Sequence, residues 1–132
     1  MQDNTITLSV DPANDGNPEN RVFTRFSEET NKSTYTGPSH SLAVPETLTL
    51  YRTLPKVSGL YLGTAKSAAK YTQPVTVLDA EGNSTTKAVI WQLSVSAPVG
   101  TPDATLIEGA QHIVGFADND AVCQGLVRAL SI

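Results

Sequence analysis

The side chains best suited to covalent or acid–base work are few and scattered. His40 and His112 lie far apart on different elements, and Cys123 is the single cysteine. A metal or nucleophile site would need the fold to gather these three by coincidence. Each has a plainer reading: a loop histidine, a helix-surface histidine, and a small residue in or near a helical core. Glu28-Glu29 points to opposite strand faces or into solvent, unlike a glycosidase pair. Gly59 and Gly63 are not followed by Lys-Ser/Thr and a helix, so no phosphate-cradling loop is present. Catalysis is not expected, and no cofactor is implied. Binding chemistry remains. Tyr35, Tyr51, Tyr61, Tyr71 and Trp91 could offer stacking surfaces, as in a β-rich carbohydrate-binding or adhesion module. That reading expects an exposed Trp91, and a Trp91 covered by helices would exclude it.

The totals narrow the class further. A chain of 132 residues fits one domain, 1–132, near the small end where oligomerisation helps stability. The hydrophobic fraction of 39% argues against wholesale disorder. No apolar run reaches the roughly 18–20 residues that cross a bilayer, so no membrane partner is expected. Met1-Gln2-Asp3-Asn4 carries no basic stretch leading into an apolar one, and no secretion signal is expected. A lone cysteine forms no internal disulfide. The net charge of −4 argues against a wholly basic nucleic-acid-binding surface. The charges are segregated, however. Acids gather mostly in turn-like stretches at Asp11 to Glu19, Glu28-Glu29, Asp79 to Glu81 and Asp118 to Asp120, whereas most lysines fall between Lys56 and Lys87.

The elements that must position these residues read as strands first and helices last. Thr5 to Val10 alternates with period two, Asp11 to Glu19 has turn chemistry, and Arg21 to Phe26 returns, which makes an N-terminal hairpin. Lys32 to Thr36 is a short strand ended by Gly37-Pro38. Glu46 to Leu54 alternates Leu48, Leu50 and Leu54 against Thr47, Thr49, Tyr51 and Thr53, with Arg52 interrupting the apolar face. Leu60 to Lys66 is ambiguous. Tyr71 to Leu78 and Lys87 to Ala97 flank the turn formers Ala80 to Ser84. After Pro98, Thr101 reads as a helix N-cap, Pro102 as the first helical position and Asp103 as an acid at the positive end. Leu106, Ile107, Ala110, Ile113, Val114 and Ala117 recur at helical spacing. Val122, Gly125, Leu126, Ala129 and Leu130 form a second helical stripe. The expectation is an α+β domain, β-rich over about 1–97 with two helices over about 101–132.

The strand from Lys87 to Ala97 has no proline or charge within Ala88 to Ser96 to blunt it as an edge. Pairing with the same strand of a second chain about a two-fold axis would complete it. The alternative is that the chain's own helices fold back and cover that edge.

This order of elements resembles the coat proteins of single-stranded RNA bacteriophages, the levivirus type, along nearly the whole chain. Ala65-Lys66-Ser67-Ala68-Ala69-Lys70-Tyr71-Thr72, leading to Asp79, is similar to the start of one of their strands. Gln92 through Pro98 and Asp103 to Leu106-Ile107 resembles their last strand and first helix. The resemblance implies a tight homodimer of joined five-stranded sheets, with each chain's helices over its partner, and assembly into an icosahedral shell. It implies a virion capsid built in the bacterial host cytoplasm, with single-stranded genomic RNA bound on the sheet face away from the helices. In that family the same face can grip an RNA hairpin and repress translation. Carried onto this sequence, the RNA face holds Thr47, Thr49, Tyr51, Thr72, Thr76 and Gln92, with Lys66 and Lys70 beside it. Hydroxyls and amides can bond phosphate, sugar or base edges, lysines neutralise phosphate, and a tyrosine can stack on a base. Four features depart from the pattern, the first being Arg52, which falls on the wrong face by strict alternation. A bulge at Pro74 would reverse the face of the residues before it, Ile90 falls on the RNA face, and the segment Leu54 to Ala69 is longer than the expected turn.

Overall fold

The computed structural model describes residues 3–119 and 125–126. Six strands form one antiparallel meander in the order β1-β2-β3-β4-β5-β6. They are β1 (Thr5–Val10), β2 (Glu19–Glu29), β3 (Lys32–Thr36), β4 (Thr47–Thr53), β5 (Thr64–Leu78) and β6 (Ser84–Pro98), followed by helix α1 (Asp103–Ala117). The chain divides into two compact units, Met1–Ala97 and Pro98–Ile132. The sequence leads one to expect an N-terminal hairpin beside an antiparallel sheet of about five strands; the hairpin is instead part of one six-stranded sheet, to which the rest of the chain contributes β3 to β6.

Three strands outrun their sequence signals, β6 by starting at Ser84 and running to Pro98. β2 reaches Glu29 because its register with β3 shifts between Arg25 and Ser27, leaving Phe26 as the extra residue of a bulge. β5 begins at Thr64, inside the stretch that reads ambiguously, and passes through Pro74 to Leu78. The proline lies beyond Thr72, the last β5 residue paired with β4. On that side its missing N–H breaks no rung, which is why the strand continues.

The core lies within the sheet. Phe23 on β2 and Tyr71 on β5 meet edge to face, with centroids 6.0 Å apart and planes at 83°. β3 and β4 lie between those strands, so in a flat sheet they would stand roughly 14 Å apart. The sheet therefore curls, in the sense that strand twist favours. Phe23, Tyr35 and Leu48 fill the hollow, with Ile6, Leu50, Ala69 and Tyr71 packed around them. Leu48 and Leu50 thus find their apolar partners on neighbouring strands. Tyr35 is completely buried, and its hydroxyl donates to the Asp3 carbonyl at 2.8 Å. The Arg25 guanidinium lies 5.7 Å from the Tyr35 ring centroid. It donates to the Tyr35 hydroxyl at 3.2 Å and the Asp3 carbonyl at 3.1 Å. One buried phenol thereby ties three segments together.

The loop between β3 and β4 is organised by Glu46, which is 2% exposed. Its carboxylate accepts the Ser39 N–H at 2.9 Å and the Tyr71 hydroxyl at 3.2 Å. Its own N–H donates to His40 Nδ1 at 3.1 Å, so the loop histidine has a structural post. Burial first, and then the Glu46 charge, raises the Tyr71 phenol above its ordinary value. Gly37 is required here, because a Cβ would lie 2.6 Å from the Glu46 carboxyl carbon.

Helix α1 starts one residue later than its sequence signal. Pro102 is the N-cap and offers no side-chain cap, while the Thr101 hydroxyl turns back to donate to the Pro98 carbonyl at 2.7 Å. Asp103 does sit in the first turn, where the helix dipole favours an acid. None of the α1 residues is buried. The second helical stripe lies outside the described residues apart from Gly125 and Leu126, which are helical.

Candidate nucleic-acid interface

Strand register decides which side chains share a face, because paired residues of adjacent strands project to the same side. Thr5 pairs with Thr24, Thr24 with Thr36, Thr36 with Thr47, and Thr47 with Thr72. Five threonines thus stand in one row across five strands, on the side opposite Tyr35 and Leu48. Two residues along, the same face carries Thr34 opposite Thr49 and Thr49 opposite Lys70. The next row sets Lys32 opposite Tyr51 and Tyr51 opposite Ala68, and Thr53 opposite Lys66 follows.

The structure therefore brings Thr47, Thr49, Tyr51, Lys66, Lys70 and Thr72 together on one face, as the alternation implies. Thr49 is only 7% exposed and forms the floor between Thr34 and Lys70. Thr76 lies farther along β5, past the segment paired with β4. Gln92 lies in β6, the neighbour of β5. The Asp79 N–H donates to the Asn83 carbonyl at 2.9 Å to close that hairpin; run back along both strands, this register sets Gln92 across from Lys70.

Sequence reasoning missed Thr5, Thr24, Thr34, Thr36 and Lys32. A signal was present for most of them: Thr-x-Thr occurs at Thr5 and Thr7, at Thr34 and Thr36, and at Thr47 and Thr49. Chemically the face is a field of hydroxyls with Lys66 and Lys70 set into it. Lys32 is engaged by Glu29 at 3.7 Å. From Thr47 to Leu78 the chain contains no acidic residue.

Other sequence candidates resolve differently. Arg52 points to the Leu48 face, where it donates to the Thr30 carbonyl at 2.7 Å and Asn31 Oδ1 at 3.3 Å, latching β4 to the β2–β3 turn. Glu28 pairs with Arg25 at 3.0 Å, and Glu29 with Lys32, as separate ion pairs. His112 Nδ1 lies 2.8 Å from the Glu108 carbonyl on the surface of α1. Among the described residues, no group of three His, Cys, Asp or Glu side chains could hold a metal. The aromatic residues do not assemble into one stacking platform. Tyr35 is buried and Tyr71 packs on Phe23, Tyr61 is on a loop, and Tyr51 and Trp91 lie on separate strands.

The opposite, apolar face is incompletely covered. β6 is the last strand of the sheet, and its Val89, Trp91, Leu93 and Val95 are all more than a third exposed. Leu93 and Val95 join Leu50, Arg52, Ser67 and Ala69 in an open groove of about 530 Å³.

No protein-family model and no curated protein sequence matches the chain. Solved structures do. The virus-like particle of bacteriophage AVE019 aligns over 100% of this chain and 99% of its own, with a TM-score of 0.77 and 18% identity. That of Beihai levi-like virus 32 aligns over 83% of this chain and 86% of its own, with a TM-score of 0.74 and 21% identity. The bacteriophage EMS014 coat protein covers 88% of this chain and 74% of its own at a TM-score of 0.61 and 16% identity. The curled meander followed by a helix is the fold of the levi-like phage coat proteins.

Proposed function

We propose that this chain is a capsid subunit that dimerises through β6 and α1, assembles into a closed shell in the virion, and packages single-stranded RNA on its threonine–lysine face. The observation that carries the reading is end-to-end coincidence with a virus-like-particle subunit, 100% of this chain on 99% of that one. Two physical features support its finer parts. A 15-residue edge strand paired on one side only among the described residues, with an apolar face, is a surface that natural proteins cover. Likewise α1 exposes Leu106, Ile107, Ile113, Val114 and Phe116. A second copy about a two-fold axis would cover both, with the β6 strands paired and each helix over the partner's groove. Gly109 and Gly115 have nothing within 4 Å of a would-be Cβ, leaving room for close approach by such a partner.

RNA is supported by the composition of the opposite face. Threonine hydroxyls and lysine ammoniums bond phosphate and sugar, contacts that hold a strand without reading its sequence. The face accordingly favours general packaging over recognition of one hairpin, and shell assembly in the bacterial host cytoplasm would bring it to its RNA. Electron microscopy and sedimentation of the recombinant protein test the whole reading. Closed particles with nucleic-acid absorbance are expected, and a stable monomer free of nucleic acid at high concentration would refute it.

A further inference from the structure

Between β4 and β5 lies a segment, residues 54–63, whose apolar side chains neither the core nor the RNA-facing surface uses. Leu54, Val57, Tyr61 and Leu62 are more than half exposed, and Leu60 completely so. The segment is nevertheless ordered as a small tongue. Ser58 and Tyr61 exchange both backbone hydrogen bonds, at 2.9 and 3.0 Å. Gly59 takes φ +62 at the first central position between them, the place a type II′ hairpin turn reserves for glycine. At the neck Gly63 has φ +94, and a Cβ there would lie 2.6 Å from the Lys56 carbonyl oxygen, so the two arms touch backbone to backbone. The Tyr61 hydroxyl bonds to Thr64 Oγ1. A preorganised, contiguous apolar projection is a contact surface in physical terms.

Charge identifies the contact. Arg52, Lys56 and Lys66 stand around the tongue, with no acid between Thr47 and Leu78. Strand register puts the tongue at the same end of the sheet as the β2–β3 turn, and loops 11–18, 37–46 and 79–83 at the other end. That far end carries Asp11, Asp15, Asp79 and Glu81 beside the exposed Leu42 and Leu78. Backbone N–H groups hold the Asp11 and Asp79 carboxyls below their ordinary values, so both stay ionised.

We propose that the tongue of one copy seats against the acidic, apolar-tipped loops at the far end of the next copy, a head-to-tail contact between neighbouring dimers. This rests on the capsid reading. Such heterologous contacts close into rings when the rotation permits, and a shell needs rings around its axes. RNA is the poorer occupant, because the tongue itself offers one cation, Lys56, and five large apolar side chains.

The test uses the full chain. Carbodiimide, which joins an amine to a carboxylate in direct contact, should link Lys56 of one copy to Glu81, Asp79 or Asp15 of another in wild-type particles. The two ends of β5 are roughly 40 Å apart, so no such link can form within one copy; a link to a neighbouring dimer gives covalent species of more than two chains, whereas one to the dimer mate stops at two. Lys56→Glu and Leu60→Ser should each raise the assembly threshold about tenfold, as for loss of a close charge pair or a covered leucine, while still giving dimers. Adding Glu81→Lys to Lys56→Glu should restore assembly. Variants that assemble at the wild-type threshold, or crosslinks from Lys56 that avoid the acidic end, would overturn the tongue contact alone. A wild-type chain that forms no particles would remove the capsid reading and this contact with it.

Discussion

Replacing Lys66 and Lys70 with glutamine tests the proposed RNA-facing surface quantitatively. Both lysines project from the threonine face of β5, and neither has a carboxylate opposite it in the strand register. Lys32, by contrast, is already engaged by Glu29 at 3.7 Å and adds little. A dimer would present four free lysines from these two positions. For a single strand, log K falls with log salt at about 0.7 per neutralised phosphate, so these four contribute a slope of about 2.8. Between 50 and 200 mM salt that slope costs roughly 50-fold in affinity. The assay is fluorescence anisotropy of a labelled, unstructured RNA oligonucleotide titrated with dimers at several salt concentrations below the assembly threshold. The double variant should lose about 2.8 from the slope with no change in stability. Thr47→Val and Thr72→Val, which remove hydroxyls but no charge, should weaken binding uniformly and leave the slope alone. A slope unaltered by the lysine replacements would refute the assignment of this face, whatever the particle looks like.

Three further outcomes follow from the packing. Trp91→Glu should yield soluble monomers by sedimentation, and wild-type Trp91 emission should shift to the blue as concentration drives dimer formation; a monomer-like spectrum in assembled particles would count against β6 pairing. Burial and Glu46 raise the Tyr71 phenol, so its contribution to stability is complete below the unfolded value of about 10 and lost as pH rises through the higher folded value. Chemical denaturation across pH 9 to 12 should therefore show a steeper alkaline loss for wild type than for Tyr71→Phe, which itself should cost about 1 kcal/mol at neutral pH. Gly63→Ala should destabilise the chain by about 1–3 kcal/mol, since its φ is +94 and its Cβ would strike Lys56; an unchanged midpoint would show that the neck is open in solution.

Period-two alternation in Glu46 to Leu54 and Lys87 to Ala97 is enough to find β4 and β6, and to put Thr47, Thr49 and Tyr51 on one side. These are local properties, set by the pleat alone. What alternation does not carry is register between strands. The threonine row reaches Thr24 and Thr5 only because β2 pairs with β3 through the bulge at Phe26, and no pattern within either strand specifies that shift. Curl was equally hidden. The residues Tyr35 and Tyr71 read as stacking surfaces from their type, yet they are core because the sheet rolls Phe23 toward Tyr71 across two strands. Pro74 misled for a related reason: its cost depends on whether a neighbour waits for its N–H, and β4 has already ended there. Thr101 failed as a cap because the helix begins one residue later, with Pro102 at the N-cap, and its hydroxyl donates back to the Pro98 carbonyl instead.

The curl also bears on the order of folding and the proposed association. Because β1 to β5 close around Phe23, Tyr35 and Leu48, the protomer has a core that does not depend on a partner, whereas the apolar strip of β6 and the stripe of α1 stay exposed. Core and proposed association surface are therefore separate in the sequence. Leu48→Ala should lower protomer stability by about 2–5 kcal/mol through the cavity it leaves, with no direct loss at the dimer contact. Trp91→Glu should do the reverse, abolishing association while leaving the unfolding midpoint of the monomer nearly unchanged. If the two substitutions instead damaged folding and association in parallel, the sheet and its association surface would be one cooperative unit, and β1 to β5 could not fold ahead of the partner.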